Sequence, residues 1–189
     1  MEIQPHTPPG ASLIPAWLPP DVEAALMAFL DAGLWSGELK RRVQHFGYRY
    51  DYRARIASRE SRIGPLPGVL EQLARRLAEE GLFGAVPDQV IANEYWPGQG
   101  ISAHVDCQPC FGPVIASVSL LSACQMVFRH QGDGEMRAVV LPPRSVLVLG
   151  GPARHDWTHE IPARLSDVID SRRVARERRV SLTFRSMRF

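Results

Sequence analysis

Residues 179–185 read Arg-Val-Ser-Leu-Thr-Phe-Arg. In an extended strand successive side chains point to opposite faces, so Val180, Leu182 and Phe184 share one face while Arg179, Ser181, Thr183 and Arg185 share the other. The apolar face belongs against a core. The polar face admits two readings. It is either an edge strand with its arginines in water, or an inward wall whose two guanidinium groups meet something anionic, because charge is buried only when it is paired.

Working back from this strand to residue 88, short runs rich in Val, Ile, Leu and Thr are separated by Gly and Pro clusters. They cover residues 89–95, 114–121, 126–128, 138–141 and 145–149. Many short strands with tight punctuation predict a double-sheet jelly roll, also called a double-stranded β-helix, or a barrel. The first half differs. Pro19-Pro20-Asp21 precedes Val22, Ala25, Leu26, Phe29 and Leu30 at helical spacing and Gly33 follows, and Val69, Leu70, Leu73 and Leu77 repeat that period before Gly81. Two helices packed on one sheet make the expected class α+β.

Between the helices, residues 42–52 read Arg-Val-Gln-His-Phe-Gly-Tyr-Arg-Tyr-Asp-Tyr, a hairpin or loop-strand segment suited to act as a lid. Residues 1–12 and 163–175 carry polar and charged side chains without a period and are expected to be the least structured. No internal repeat or low-complexity stretch is visible. A length of 189 fits one domain over 1–189, with 1–87 as a helical and lid extension and 88–189 as the jelly-roll core.

Hydrophobic residues make up 45% and charged residues 22%, which excludes a disordered or collagen-like chain. The start of the chain lacks a basic stretch followed by an apolar one, and no apolar run reaches the roughly 18 residues of a membrane span, so neither export nor a membrane partner is expected. Cys107, Cys110 and Cys124 are too few and odd in number for a disulfide framework, which points to a cytoplasmic location with Cys107 and Cys110 serving as packing residues. Lys40 is the sole lysine among 22 basic residues. Arginine suits phosphate and carboxylate recognition, yet a GC-rich coding sequence gives the same bias, and the net charge of +2 does not by itself point to a nucleic-acid partner.

His104-Val105-Asp106 places two ligand-type side chains on one face of an extended segment. A third ligand has to come from elsewhere, and His155 and His159 both follow the 145–149 run. Two histidines and one carboxylate leave three coordination positions open, the arrangement of non-haem iron(II) centres that bind a co-substrate and oxygen together.

Five separated motifs between residue 88 and the C-terminus then resemble the AlkB-type iron(II) and 2-oxoglutarate dioxygenases. They are Asn93-x-Tyr95 with Pro97-Gly98, His104-x-Asp106, Ser117-Val-Ser-Leu120, residues 145–151 with Ala153-Arg154 and His159, and Arg179-x5-Arg185. Residues 42–48, the Gly98-Gln-Gly-Ile101 turn and Phe128-Arg-His130 are similar to the AlkB-type domain of the animal tRNA wobble-uridine hydroxylase and its bacterial relatives.

The resemblance implies a dioxygenase in which His104, Asp106 and His159 are the catalytic iron ligands, His159 being favoured over His155 by its spacing from Ala153-Arg154. It further implies that Asn93 and Tyr95 contact 2-oxoglutarate, that Arg185 sits near its chelating end and that Arg179 pairs with its distal carboxylate, with Ser181 and Thr183 on the same wall. Fe(II), 2-oxoglutarate and O2 are the implied cofactors. In the tRNA hydroxylase a histidine two residues past the Asp joins C-terminal cysteines in a zinc site. That position is Gln108 in this sequence, so no structural zinc is expected.

The implied reaction converts 2-oxoglutarate to succinate and carbon dioxide and oxidises a C–H bond of a DNA or RNA base, either hydroxylating it or releasing an N-methyl group as formaldehyde. A base in a duplex would have to be flipped. Arg42, His45, Phe46 and Tyr48, with Arg41, Arg49 and Tyr50, supply aromatic and cationic groups for such a substrate. A hydroxylase of a protein side chain or small molecule would share every iron and co-substrate residue and differ in the lid, while a binding module without catalysis would not need the intact ligand set.

Overall fold

Two antiparallel sheets stack in the computed structural model of the chain, which describes residues 7–189. The larger sheet is ordered β1 (Ala11–Ile14), β8 (Val146–Leu149), β5 (Phe111–Leu120), β12 (Arg179–Met187), β3 (Gln89–Tyr95), β2 (Arg42–Phe46). The smaller is ordered β4 (Ile101–His104), β9 (Trp157–Ile161), β6 (Cys124–His130), β7 (Met136–Leu141). Helices α1 (Pro20–Ala32) and α2 (Gly68–Glu79) cover one face of the larger sheet, a short helix α3 (Gly151–His155) follows β8, and β10 (Ser166–Ile169) pairs with β11 (Arg172–Ala175) as a separate hairpin. This is the expected α+β jelly roll.

The alternation in β12 builds both layers. Val180, Leu182 and Phe184 are fully buried and pack with Leu26 and Leu30 of α1 and Leu70, Leu73 and Leu77 of α2. A second core lies between the sheets, where Phe111 and Ile115 of β5 meet Met126 and Phe128 of β6 and Trp157 of β9. Since β12 sits between β5 and β3, the edge-strand reading falls: Arg179 is 2% exposed and Arg185 7%.

Some boundaries differ from the sequence reading. Residues 163–175, expected to be among the least structured, instead contain the β10–β11 hairpin, anchored by the buried carboxylate of Asp167. Arg176 donates to it through Nε at 2.7 Å and Nη2 at 2.9 Å. Within the N-terminal stretch, residues 1–6 lie outside the described residues, while Ala11 and Ser12 pair with Leu149 and Val148 in β1. Strands β4 and β9 carry mixed polar sequences, ISAH and WTHEI, that show no alternation because several of their polar side chains turn inward to a cavity.

Gly47 ends β2 with φ of +78°, and a Cβ at that position would collide with the carbonyl of Asp88. Only glycine takes this backbone without strain, and the chain leaves the sheet edge there. Among the described residues no helix is long and apolar enough to cross a membrane.

Replacing Phe184 by Ala removes a side chain shared by both helices and the sheet. Urea denaturation is expected to show a loss of about 3–5 kcal/mol in unfolding free energy with little change in slope.

Candidate active site

Strands β4 and β9 pair so that His104 stands opposite His159, with ring centroids 4.4 Å apart. Asp106 lies two residues beyond the end of β4 and turns its carboxylate towards them, placing Oδ2 4.0 Å from Nε2 of His159. One ligand-type atom from each of the three residues lies within 4.8 Å of the others. The Nδ1 of His104 is 2.8 Å from the carbonyl of Ser102, and as that carbonyl can only accept, Nδ1 carries the proton and Nε2 keeps its lone pair. His155 lies outside this cluster at the end of α3, where its carbonyl accepts from the side chains of Gln108 and Gln131.

Arginines hold this corner together. Arg185 donates through Nη2 to Oδ1 of Asp106 at 2.9 Å. Arg154, 2% exposed, donates through Nη1 to the Asp106 carbonyl at 2.9 Å and through Nη2 to the Cys107 carbonyl at 3.3 Å. Burial alone would raise the pKa of Asp106, but the Arg185 guanidinium, with His159 and His104, holds it well below the usual carboxylate range. Burial, reinforced by His104, pulls His159 down to about 3. The cluster therefore offers an anion and a neutral imidazole at neutral pH, the protonation states that metal binding needs.

The cysteines need a correction. Cys107 and Cys110 form a disulfide, although Cys110 also packs in the core between the sheets. A turn closed by Phe111 N–H on the Cys107 carbonyl brings their Cα atoms to 5.3 Å, inside the bridging range. Cys124 is free and buried, as a packing residue should be.

A cavity of about 480 Å³ opens in front of the cluster. Its wall on the larger sheet is made by Asn93 and Tyr95 of β3 and by Arg179, Ser181, Thr183 and Arg185 of β12. Arg179 donates through Nη2 to Ser119 Oγ at 2.9 Å, while its Nε and Nη1, and Nε of Arg185, are buried with no partner among the described residues. Guanidinium donors left unpaired beside a cavity call for an anionic occupant. A dicarboxylate lying between these arginines and the His/Asp/His cluster fits the donor set.

The residues expected on the substrate side are placed otherwise. Arg42 forks onto Glu94 with contacts of 2.5 and 2.9 Å, Phe46 stacks at 5.8 Å on Phe29 of α1, and Tyr48 meets Phe189 at 5.5 Å. His45 accepts from the Tyr50 N–H through Nδ1 and has its ring edge-on to Tyr52 at 5.6 Å. None of the four lines the cavity. Pairing of β2 with β3 fixes the direction of Arg42, His45 and Phe46, and the chain reaches the cavity after the Gly47 turn, through Tyr50, Tyr52 and Arg55, with Arg41 arriving from the residue before β2. The period-two repeat of Tyr50 and Tyr52 after a glycine was the available signal. Burial pushes the Tyr52 hydroxyl up to about 12, and it finds no hydrogen-bond partner among the described residues.

Comparison with known proteins agrees with this architecture. The sequence model described as the 2OG-Fe(II) oxygenase superfamily matches residues 11–185. An Arabidopsis thaliana protein named alkylated DNA repair protein ALKBH8 homolog is 36% identical over 203 residues, covering 95% of this chain and 59% of its own. A Xenopus tropicalis protein named tRNA (carboxymethyluridine(34)-5-O)-methyltransferase alkbh8 is 34% identical over 175 residues, covering 88% of this chain and 27% of its own. The chain thus spans between about a quarter and three fifths of these two relatives. The solved structure of OsALKBH1 superimposes with a TM-score of 0.72 at 17% identity, covering 95% of this chain and 99% of that one.

Burial lowers the pKa of His45 from 6.5 to about 4. The unfolded chain therefore binds a proton between these values that the folded chain refuses, so the stability contributed by neutral His45 is complete above pH 6.5 and is lost as pH falls towards 4. Unfolding free energy measured across that window should rise with pH, and His45→Phe should flatten the rise.

Proposed function

Because the chain belongs to the 2OG-Fe(II) oxygenase superfamily, we propose that it is a dioxygenase acting on a nucleic-acid base, with His104, Asp106 and His159 holding the iron and Asn93, Tyr95, Arg179 and Arg185 holding 2-oxoglutarate. Bound together, iron(II), 2-oxoglutarate and O2 supply an oxidant able to take hydrogen from a C–H bond, with succinate and carbon dioxide as by-products.

The chain's own part is placement and charge. Arg185 keeps Asp106 anionic and oriented, the Ser102 carbonyl fixes the tautomer of His104, and Arg179 offers two unpaired donors to a distal carboxylate. Ser181 and Thr183 add hydroxyl groups to the same wall. Tyr50, Tyr52 and Phe111 give the cavity aromatic sides that keep water from the reacting carbon.

One observation carries the nucleic-acid reading. Residues 49–62 present five exposed arginines, Arg49, Arg53, Arg55, Arg59 and Arg62, against two acidic residues, Asp51 and Glu60, while Tyr50 and Tyr52 of the same segment turn into the iron-side cavity. Cations at the surface, with Arg55 at the cavity mouth, and aromatic rings inside suit a phosphate backbone held at the surface with one base stacked within. The names of the two relatives, one concerned with alkylated DNA and one with a tRNA uridine, point to the same class of polymer.

Mass spectrometry of iron-loaded protein incubated with methylated DNA oligonucleotides, methylated RNA oligonucleotides and an unmodified tRNA pool should show succinate formed in step with an oxidised or demethylated base. The product should vanish in His104→Ala and Asp106→Ala. Binding should weaken steeply with salt, and Arg53→Ala with Arg55→Ala should lower the log–log slope by about 0.9 for each phosphate contact removed. Base products absent while a peptide or small molecule is hydroxylated would overturn the nucleic-acid reading and leave the dioxygenase in place.

Arg154 touches no candidate ligand atom but holds the backbone on both sides of the Asp106–Cys107 peptide. Arg154→Ala is expected to weaken Mn(II) affinity by roughly 10- to 100-fold, read by paramagnetic titration, with the fold retained by circular dichroism.

A further inference from the structure

Arg41 stands at the junction of the co-substrate wall and the segment that roofs the cavity, and it contacts both. Its Nε donates to Oδ1 of Asn93 at 3.0 Å, and its guanidinium lies over the Tyr52 ring, 5.8 Å from the centroid. Its neighbours are pinned. Gln99 donates through Nε2 to the Lys40 carbonyl at 2.8 Å, and Arg42 is forked onto Glu94. The Arg41 side chain is thereby aimed at β3 and the cavity.

The segment it touches has little else to hold it. Between Gly47 and Ile63 the described backbone is held by isolated bridges, Tyr48 with Arg62 and Asp51 with Ile56, and one 3-10 turn over Arg59–Ser61, and residues 53–56 are exposed. Its inward anchors are Tyr50, packed at 5.9 Å on Phe111, Tyr52, set between His45 and Arg41, and the small buried side chain of Ala57. A segment with so few buried contacts opens at low cost, so one added interaction shifts its population.

We propose that Arg41 is a positioning residue that couples 2-oxoglutarate binding to closure of the 47–63 segment, through Asn93 on one side and Tyr52 on the other. By occupying Asn93 Oδ1, Arg41 orients the amide so that Nδ2, which spends one hydrogen on a long 3.5 Å contact to the Ile91 carbonyl, keeps a second for the carboxylate of the co-substrate. A bound carboxylate holds Asn93 in that orientation, Asn93 holds the Arg41 guanidinium in plane, and the guanidinium keeps Tyr52 seated. The substrate site is then assembled only when the co-substrate is in place. This inference rests on the reading of Asn93 as a 2-oxoglutarate contact.

Trypsin cleavage after the exposed Arg53 and Arg55 reports closure without any turnover. With Mn(II) present, saturating 2-oxoglutarate should slow wild-type cleavage roughly fivefold or more, whereas Arg41→Ala should be cut equally fast with and without it. The same variant should bind 2-oxoglutarate roughly tenfold more weakly, the size expected for losing a hydrogen bond from a charged donor. Arg41→Lys, which keeps the charge but not the planar fork, should recover part of the affinity and none of the protection.

Full protection of Arg41→Ala, or wild-type cleavage indifferent to saturating 2-oxoglutarate, would overturn the coupling. Asn93→Ala separates the two claims. Unchanged 2-oxoglutarate affinity there overturns the co-substrate reading and the coupling with it. Weakened affinity there, together with a protected Arg41→Ala, overturns the coupling alone.

Discussion

The contact on which the active corner depends is the pair between Arg185 and Asp106, a 2.9 Å hydrogen bond between groups that are each less than a tenth exposed. Burying a carboxylate is costly unless a cation with good geometry meets it, and removing one partner of such a pair leaves an uncompensated charge. Asp106 meets this demand with Arg185 on its side chain and Arg154 on its carbonyl. The larger sheet supplies the first arginine and the short helix after β8 the second. An anion is thereby kept where two imidazoles converge, with its charge already balanced from behind.

That pair is possible because β12 occupies the middle of the larger sheet. From this place its apolar residues reach both helices and its polar residues reach the cavity, so one strand serves as a wall of two compartments. The β5 and β3 neighbours hold its register over Val180 to Arg185. A slip of one residue would exchange the faces, placing Arg179 and Arg185 against leucines and Phe184 in the cavity. Packing of the helix-side core is therefore also what aims the arginines.

On the opposite side the cavity is closed by a segment of a different kind. The Gly47 turn releases the chain from β2, and beyond it lie short turns, arginines in solvent and two tyrosines directed inward. The His/Asp/His cluster and the arginine wall are built on paired strands, the facing side on a loosely bridged loop. Rigid strands suit side chains that must keep a fixed relation, and a loop suits the side from which a cavity is entered.

Much of this was legible in the chain itself. The alternation in residues 179–185 and the helical periods near Leu26 and Leu73 are local patterns, and each survives in the structure because one face of the element is buried, while the ligand-type pair at His104 and Asp106 survives although Asp106 lies beyond the end of β4. The choice of His159 over His155 came from a family resemblance, and the geometry sets His159 opposite His104. Other features rest on contacts between residues far apart in sequence. The β10–β11 hairpin looked like charged loop because Asp167 is made acceptable by Arg176 and by the Gln125 N–H of a distant strand, and the pairing of Cys107 with Cys110 depends on a turn that composition does not reveal. Arg42, His45, Phe46 and Tyr48 read as a substrate surface, yet pairing of β2 with β3 keeps the first three out of the cavity lining, and Tyr48, past the Gly47 turn, meets Phe189. Residue identity was enough to pick out the His/Asp/His cluster and the arginine-bearing strand that the fold brings to one cavity, because such groups recur as particular side chains at strand spacing. Which aromatic and cationic residues face the cavity emerged only with the folded chain, because a side chain's direction after a turn is set by where the backbone crosses the sheet edge and not by its neighbours in sequence.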